Sequence, residues 1–286
     1  MSRFLTPATL DEALNALSHP GAKVLAGGTD LMLALRQARL SGTELPELIL
    51  DVTRLPELGR LELDGPAYYL GAGLTFRCLE EDPRVARRIP VLAQAAATVG
   101  SMQVRQTATI GGNVANASPA ADGLSALVAL DAVAEIASLG GMRHCPLGEL
   151  ITAPNKTTLA QGELILGYAL DPPAETRGQA FLKVGRRQEV AVSRLNLAAC
   201  LDRELSDPRV VLGSCFPTPR RLRDVEELIQ GATPGPELWR AAGEKAAGHF
   251  TDVCGWRASA TYKVPAIARI TARALSRAWA QLEARS

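Results

Sequence analysis

Aromatic side chains are scarce in this sequence: five Phe, four Tyr and three Trp make up 4% of 286 residues. A core of ordinary size must then be built mostly from Ala, Leu and Val. An excess of either charge is missing too, since 31 basic side chains against 30 acidic ones leave a formal charge of +1. That balance excludes the basic footprint of a nucleic-acid or anionic-membrane binder. Cysteines do not cluster: Cys78, Cys145, Cys200, Cys215 and Cys254 are odd in number and form no C-x-x-C pair. Such spacing supports neither a disulfide framework nor a zinc or iron–sulfur site. No apolar run approaches the ~20 residues that span a bilayer. The start, MSRFLTPATLDEALNALSH, has no apolar h-region and no cleavage site. The expectation is a soluble cytoplasmic protein. Catalytic clusters are missing as well. His19, His144 and His249 stand apart, as surface or turn residues, and no Ser-His-Asp or paired-carboxylate pattern is visible.

What is present is a regular alternation. At 47% hydrophobic and 21% charged, the chain has the composition of one large domain or two to three smaller ones. The first helix is expected after Thr9, with Glu12 closing a capping box and Leu10, Ala13, Leu14 and Leu17 on one face. The strand KVLA, the turn GGTD, the helix LMLALRQARL and the strand ELILDVT follow. A second unit runs from YYLGAGLTF through the Ala-rich PVLAQAAATVG to the strand VAEIAS. DPPAETRG, at 171–178, is the candidate linker. Beyond it, three strands (QAFLKVGRR, RLNLAACLD, RVVLGSCF) precede three helices, which argues for a separate α+β domain.

Two stretches share one design. LAGGTDL, from Leu25, and ATIGGNVANASPAAD, from Ala108, each place Gly-Gly and a small polar residue after an apolar segment. Glycine lets backbone N–H groups approach a ligand, and consecutive N–H groups near a helix start form an anion site. Together the pair suits a pyrophosphate; singly, each reads as a plain turn. Neither ends in the Gly-Lys-Ser/Thr of a P-loop, so an NTP-hydrolysing mechanism lacks its lysine and its magnesium ligand. GAGLTF, at Gly71 to Phe76, has Phe where a third glycine would stand, and reads as a strand end leading to a Thr75 cap.

The pair AGGTDL and TIGGN, with ASPAAD after it, resembles the FAD-binding medium subunit of molybdenum hydroxylases, the xanthine dehydrogenase and carbon monoxide dehydrogenase family. The resemblance continues through QGELILGYAL, FLKVGRR, RLNLAA and WRASATYKV, over almost the whole chain. It implies an α+β fold: a two-part FAD-binding domain of the PCMH type over 1–176, divided near 57/58, then a smaller three-stranded α+β domain over 177–286. It also implies that Ala26, Gly27, Gly28, Thr29 and Asp30 form one FAD cradle, with Leu31 opening the helix behind it as a further cofactor-binding residue, and Thr109, Ile110, Gly111, Gly112 and Asn113 a second. Asp122 would accept hydrogen bonds from FAD hydroxyls; its local alternative is a helix N-cap. Ile165 and Lys183 would lie beside the isoalloxazine, though Lys183 also reads as a strand residue facing solvent. Lys23 reads as a surface lysine, Arg186 and Arg187 as surface or interface charges, and Arg105 as a brace for the second turn.

One departure narrows the match. Benzoyl-CoA-type relatives carry a cysteine-rich insertion that this chain lacks, so the flavin-only member fits better. Gln106 stands where relatives often have Asn, which touches only local turn geometry. The resemblance therefore implies non-covalent FAD and electron transfer. Partners would be a large molybdopterin-binding subunit and a small [2Fe-2S] subunit, as a dimer of heterotrimers. NAD, oxygen, quinone and a carrier protein stay open as acceptors. A nucleotide-binding module or a scaffold without redox activity is the alternative.

Overall fold

The computed structural model describes residues 2–171, 177–187, 190–256 and 258–285. The expected linker lies mostly outside these residues, as does Arg257 of the WRASATYKV tail.

The first unit contains β1 (Arg3–Leu5), α1 (Leu10–Leu17), β2 (Ala22–Leu25), α2 (Leu31–Ser41) and β3 (Leu48–Asp51). Its strands form a parallel sheet in the order β1-β3-β2. Thr9 caps α1 by accepting the Glu12 N–H, while Glu12 accepts from Ala8, one residue before the cap. Ala13, Leu14, Ala16 and Leu17 turn inward, as the spacing requires. Helix α2 behaves differently: none of its 11 residues is buried.

The second unit opens with β4 (Leu61–Glu62) and β5 (Tyr68–Gly71). Six helices follow: α3 (Phe76–Glu81), α4 (Pro83–Arg88), α5 (Pro90–Ala97), α6 (Met102–Thr107), α7 (Ile110–Asn116) and α8 (Asp122–Ala129). It closes with β6 (Val133–Ser138), β7 (Gly141–Pro146), α9 (Leu147–Leu150), β8 (Ile151–Ala153), β9 (Lys156–Thr157) and β10 (Leu164–Leu170). The order β4-β5-β10-β6-β7 makes an antiparallel sheet. Gly71 ends β5, and Thr75 caps α3 by accepting the Cys78 N–H, as GAGLTF suggested. Small side chains replace aromatics in the core. All eight residues of α8 are buried, and only Leu, Val, Ala, Gly, Ser and one Asp are among them.

The third unit is β11 (Gly178–Gly185), β12 (Ser193–Leu201), β13 (Arg209–Gly213) and β14 (Arg220–Arg221), then α10 (Arg223–Ile229), α11 (Pro236–Cys254) and α12 (Ala260–Glu283). Its antiparallel sheet has four strands rather than three. The fourth is only 2 residues long, too short to leave a periodic signal. Alternate side chains of β12 face opposite ways. Ala198 and Cys200 join the core of the first two units. Leu195, Leu197, Ala199 and Leu201 join a second core under α11 and α12. Burial on both faces explains the unbroken apolar run LNLAACL.

Candidate functional site

Between the first and second units lies a cavity of about 570 Å³, a size usual for a cofactor or ligand. One wall is the β2–α2 connection from Ala26 to Asp30, with Leu31 and Ala34 of α2 beside it. The facing wall includes Gly73, Thr109, Gly111, Gly112 and Asn113, and the segment Leu159 to Ile165 closes a third side. The walls meet at Gly27, where a Cβ would stand 1.9 Å from the Thr107 carbonyl oxygen.

The two glycine pairs do different things. In the first, Gly28 turns the chain at φ +70, a conformation that side chains rarely adopt. The amides of Gly27, Gly28, Thr29 and Asp30 have no hydrogen-bond partner among the described residues. Asp30 holds the N-cap position of α2 without a side-chain cap bond, so the helix start stays uncapped beside the cavity.

The second pair is not a turn. Gly111 and Gly112 lie in the first turn of α7, which Thr109 caps. Ile110 N–H donates to Leu74 O, Gly111 N–H to Ala72 O, Gly112 N–H to Thr109 Oγ1 and Asn113 N–H to Thr109 O. The expectation of a second cradle of free donors is corrected accordingly: the loop after β5 and the Thr109 cap satisfy those amides first. What the pair supplies is room, because a Cβ on Gly112 would meet only Thr109 Oγ1, at 3.1 Å. Asn113 lines the cavity as well, and its Oδ1 is buried with no hydrogen-bond partner among the described residues. A buried acceptor of that kind costs free energy until a donor reaches it. Free amides, open space at Gly112 and this orphan acceptor together fit a flavin dinucleotide.

Ile165 lines the cavity next to a register shift in β10. Ile110, Asp122 and Lys183 do not line it. Ile110 is fully buried in the core. Lys183 and Asp122 hold each other: Nζ to Oδ2 is 2.6 Å, with side chains 11% and 4% exposed. Lys183 also donates to Thr98 O at 2.8 Å, and Asn196 Nδ2 donates to Asp122 Oδ1 at 2.8 Å. Burial pushes the Asp122 carboxyl up, while Lys183 first and then Asn196 pull it back. Two expectations are corrected here. The α8 cap is Ala121, and Asp122 is the first helical residue with no side-chain cap bond. Lys183 points into a buried network, not into solvent, because Thr98 and Asp122 at the ends of α5 and α8 reach its strand.

Lys23 stands exposed at the cavity edge. Arg105 binds Glu80 at 2.8 Å and Val99 O at 3.3 Å, bracing α6 against α3. His249 is neither a surface nor a turn residue; in α11 its Nδ1 lies 2.9 Å from Asp224 Oδ1. Sequence reasoning missed Gln161 and Glu163. Gln161 Nε2 donates to Leu17 O and His19 O at 2.5 and 3.0 Å, tying the third wall to the first unit. Glu163 accepts from Arg143 at 2.6 Å and from Ala160 N–H at 2.8 Å. Arg143 holds its carboxyl below the ordinary range, against the opposing effect of burial. Their only signal was the segment QGELILGYAL, which carried the resemblance without marking a role.

Among the described residues no group of His, Cys, Asp and Glu could hold a metal ion, and no helix is long and apolar enough to cross a membrane.

Residues 1–170 match the family described as the FAD binding domain in molybdopterin dehydrogenase, and 180–278 match the CO dehydrogenase flavoprotein C-terminal domain. The chain is similar to the xanthine dehydrogenase FAD-binding subunit of Escherichia coli O157:H7, 33% identical over 278 residues, with 95% of this chain and 94% of that one covered. It is 28% identical to the carbon monoxide dehydrogenase medium chain of Hydrogenophaga pseudoflava, with 97% of each covered. A solved structure of carbon monoxide dehydrogenase from that organism, lacking the Mo-pyranopterin moiety, superposes with a TM-score of 0.87 at 27% identity, covering 98% of this chain and 97% of that one. With two family domains end to end over the same architecture, the chain belongs to the FAD-binding medium subunits of the molybdenum hydroxylase family, and is a subunit of an oxidoreductase.

Proposed function

We propose that this chain holds FAD non-covalently in the cavity and serves as the electron-transfer subunit of a multi-subunit molybdenum hydroxylase. The observation that carries the proposal is the set of unpaired amides from Gly27 to Asp30 at an uncapped helix start. Such donors suit a diphosphate without needing a basic side chain. Ala26 and Leu31 flank them. Thr109, Gly111, Gly112 and Asn113 shape the facing wall, and Ile165 offers an apolar surface. Ile110 and the Asp122–Lys183 pair support this arrangement from behind. When bound, FAD supplies a centre that exchanges electrons singly or in pairs. This chain binds, orients and shields it.

Electrons would come from [2Fe-2S] centres on a small partner subunit, after substrate oxidation at a molybdopterin cofactor in a large one. The acceptor is one of NAD, oxygen, quinone or a carrier protein, and the assembly is a dimer of heterotrimers. The division we propose is a two-part FAD-binding domain over 1–176 and a C-terminal domain over 177–286; a second core under α11 and α12 supports it, while Ala198 and Cys200 of β12 pack into the first. Free thiols at all five cysteines suit the reducing cytoplasm.

The purified chain should be yellow, and denaturation should release free FAD into solution. Substrate should reduce the flavin only after the molybdenum and iron–sulfur subunits are added, while NADH or dye turnover by the single chain stays slow. A colourless protein would support the scaffold or plain nucleotide-binding alternative. Rapid substrate-dependent reduction of the single chain would make it a self-sufficient flavoenzyme.

Acid should loosen the site through Glu163. Its folded pKa is depressed by Arg143. The contribution is present above the ordinary Glu pKa of about 4.3 and lost as pH falls through the lower folded value. We expect Glu163→Gln to hold FAD less tightly at neutral pH and to show a flatter fall in occupancy below about pH 4.3. Identical acid profiles for variant and parent would remove Glu163 from the site.

A further inference from the structure

Helix α2 follows the first glycine turn, yet none of its 11 residues is buried. A helix of that length is marginal in water unless one face is packed. Its inner side faces the cavity through Leu31 and Ala34. On the outside, Met32, Leu33 and Leu40 are 53%, 67% and 79% exposed. At 3.6 residues per turn these three share about one third of the circumference with Arg36 and Arg39. The helix carries no carboxylate, and neither arginine makes an ion pair among the described residues. The result is an apolar face with positive charge only, on the element that also walls the cavity.

We propose that this outer face of α2 is the docking surface for the small [2Fe-2S] subunit. The inference rests on the functional reading above and adds to it the place of contact. Charge complementarity selects this partner. A [2Fe-2S] centre held by cysteine thiolates is a net anion, since thiolates and sulfides outweigh the iron charge. Arg36 and Arg39 favour its approach, and the leucines and Met32 supply the dry contact. Position selects it too. A chain seated on the outer face is separated from the cavity by about one helix diameter, ~10–12 Å, which brings its cluster toward the bound flavin.

The test is co-expression of all subunits with Leu33→Glu/Leu40→Glu and, separately, Arg36→Glu/Arg39→Glu. Flavin absorption of the isolated variant chains is measured first. We expect both variants to keep FAD and to lose affinity for the [2Fe-2S] subunit by about tenfold or more. The loss in the arginine variant should shrink as salt is raised. Substrate-driven flavin reduction should fall with assembly. Full assembly and reduction by flavin-loaded variants would overturn the inference and leave the functional reading intact. So would retention of the [2Fe-2S] chain with loss of the large subunit, or a parent chain that dimerises alone through α2. A parent chain without flavin would instead overturn the functional reading itself.

Discussion

Gly112→Val and Gly28→Val should each strip FAD from the protein while the chain still folds. At Gly112 the added Cβ meets only Thr109 Oγ1 outside its own helix backbone, and the residue lines the cavity, so a valine there should take up cavity space. The fold has little reason to object; the ligand does. At Gly28 the cause is different. A β-branched residue at φ +70 is strained by ~1–3 kcal/mol, which would shift the turn whose amides are free. Its nearest neighbours, Leu25 Cδ1 at 3.1 Å and Met32 Cγ at 3.3 Å, are side-chain ends that can move. We expect FAD affinity to fall about hundredfold or more in both, equivalent to about 2.7 kcal/mol. Gly27→Val is the contrast. Its Cβ would collide with the Thr107 backbone, so it should unfold or misassemble the two units before binding is tested. Flavin content per chain, measured with circular dichroism, separates the cases. Full occupancy in both Gly28 and Gly112 variants would mean that the glycines serve only the chain's own packing.

That contrast also marks how far residues alone could be read. The Gly27–Gly28 turn and the helix after it were legible because a strand-like run, two glycines and a helical run follow one another in LAGGTDLMLALRQ. The second pair misled for a physical reason. Gly-Gly before Asn reads as a turn, but Thr109 caps a helix through those glycines, and the distant carbonyls of Leu74 and Ala72 take up the amides of Ile110 and Gly111. No local pattern carries that pairing. The longer elements followed from periodicity; an element as short as β14, or a contact such as that of Gln161 with Leu17, 144 positions away, did not. Asp122 and Lys183 could be named one by one through the resemblance. Their contact, 61 residues apart in sequence and nearly sealed from water, needed the packing of β11 against the ends of α5 and α8.

Lys183→Met should be among the most destabilising single changes in the chain. It leaves the Asp122 carboxyl buried with Asn196 and Thr98 but no cation, and it leaves the Thr98 carbonyl without its Lys183 donor. Removing one member of a buried ion pair costs about 3–5 kcal/mol. Asp122→Leu should cost a similar amount, because a lysine ammonium would then sit at 11% exposure with only the Thr98 carbonyl to receive it. In the double variant no charge is stranded, so the two losses should not add. We expect a coupling of about 2 kcal/mol or more, at the upper end of what contacting residues give. Because the pair joins α8 of the second unit to β11 of the third, the singles should also loosen the contact between those units. Denaturant unfolding of the four proteins, each with and without added FAD, reads both effects. Coupling that persists without FAD makes the pair a structural support behind the cofactor. Additive losses, with FAD affinity falling separately in each single variant, would mean that Asp122 and Lys183 leave one another to touch the flavin directly.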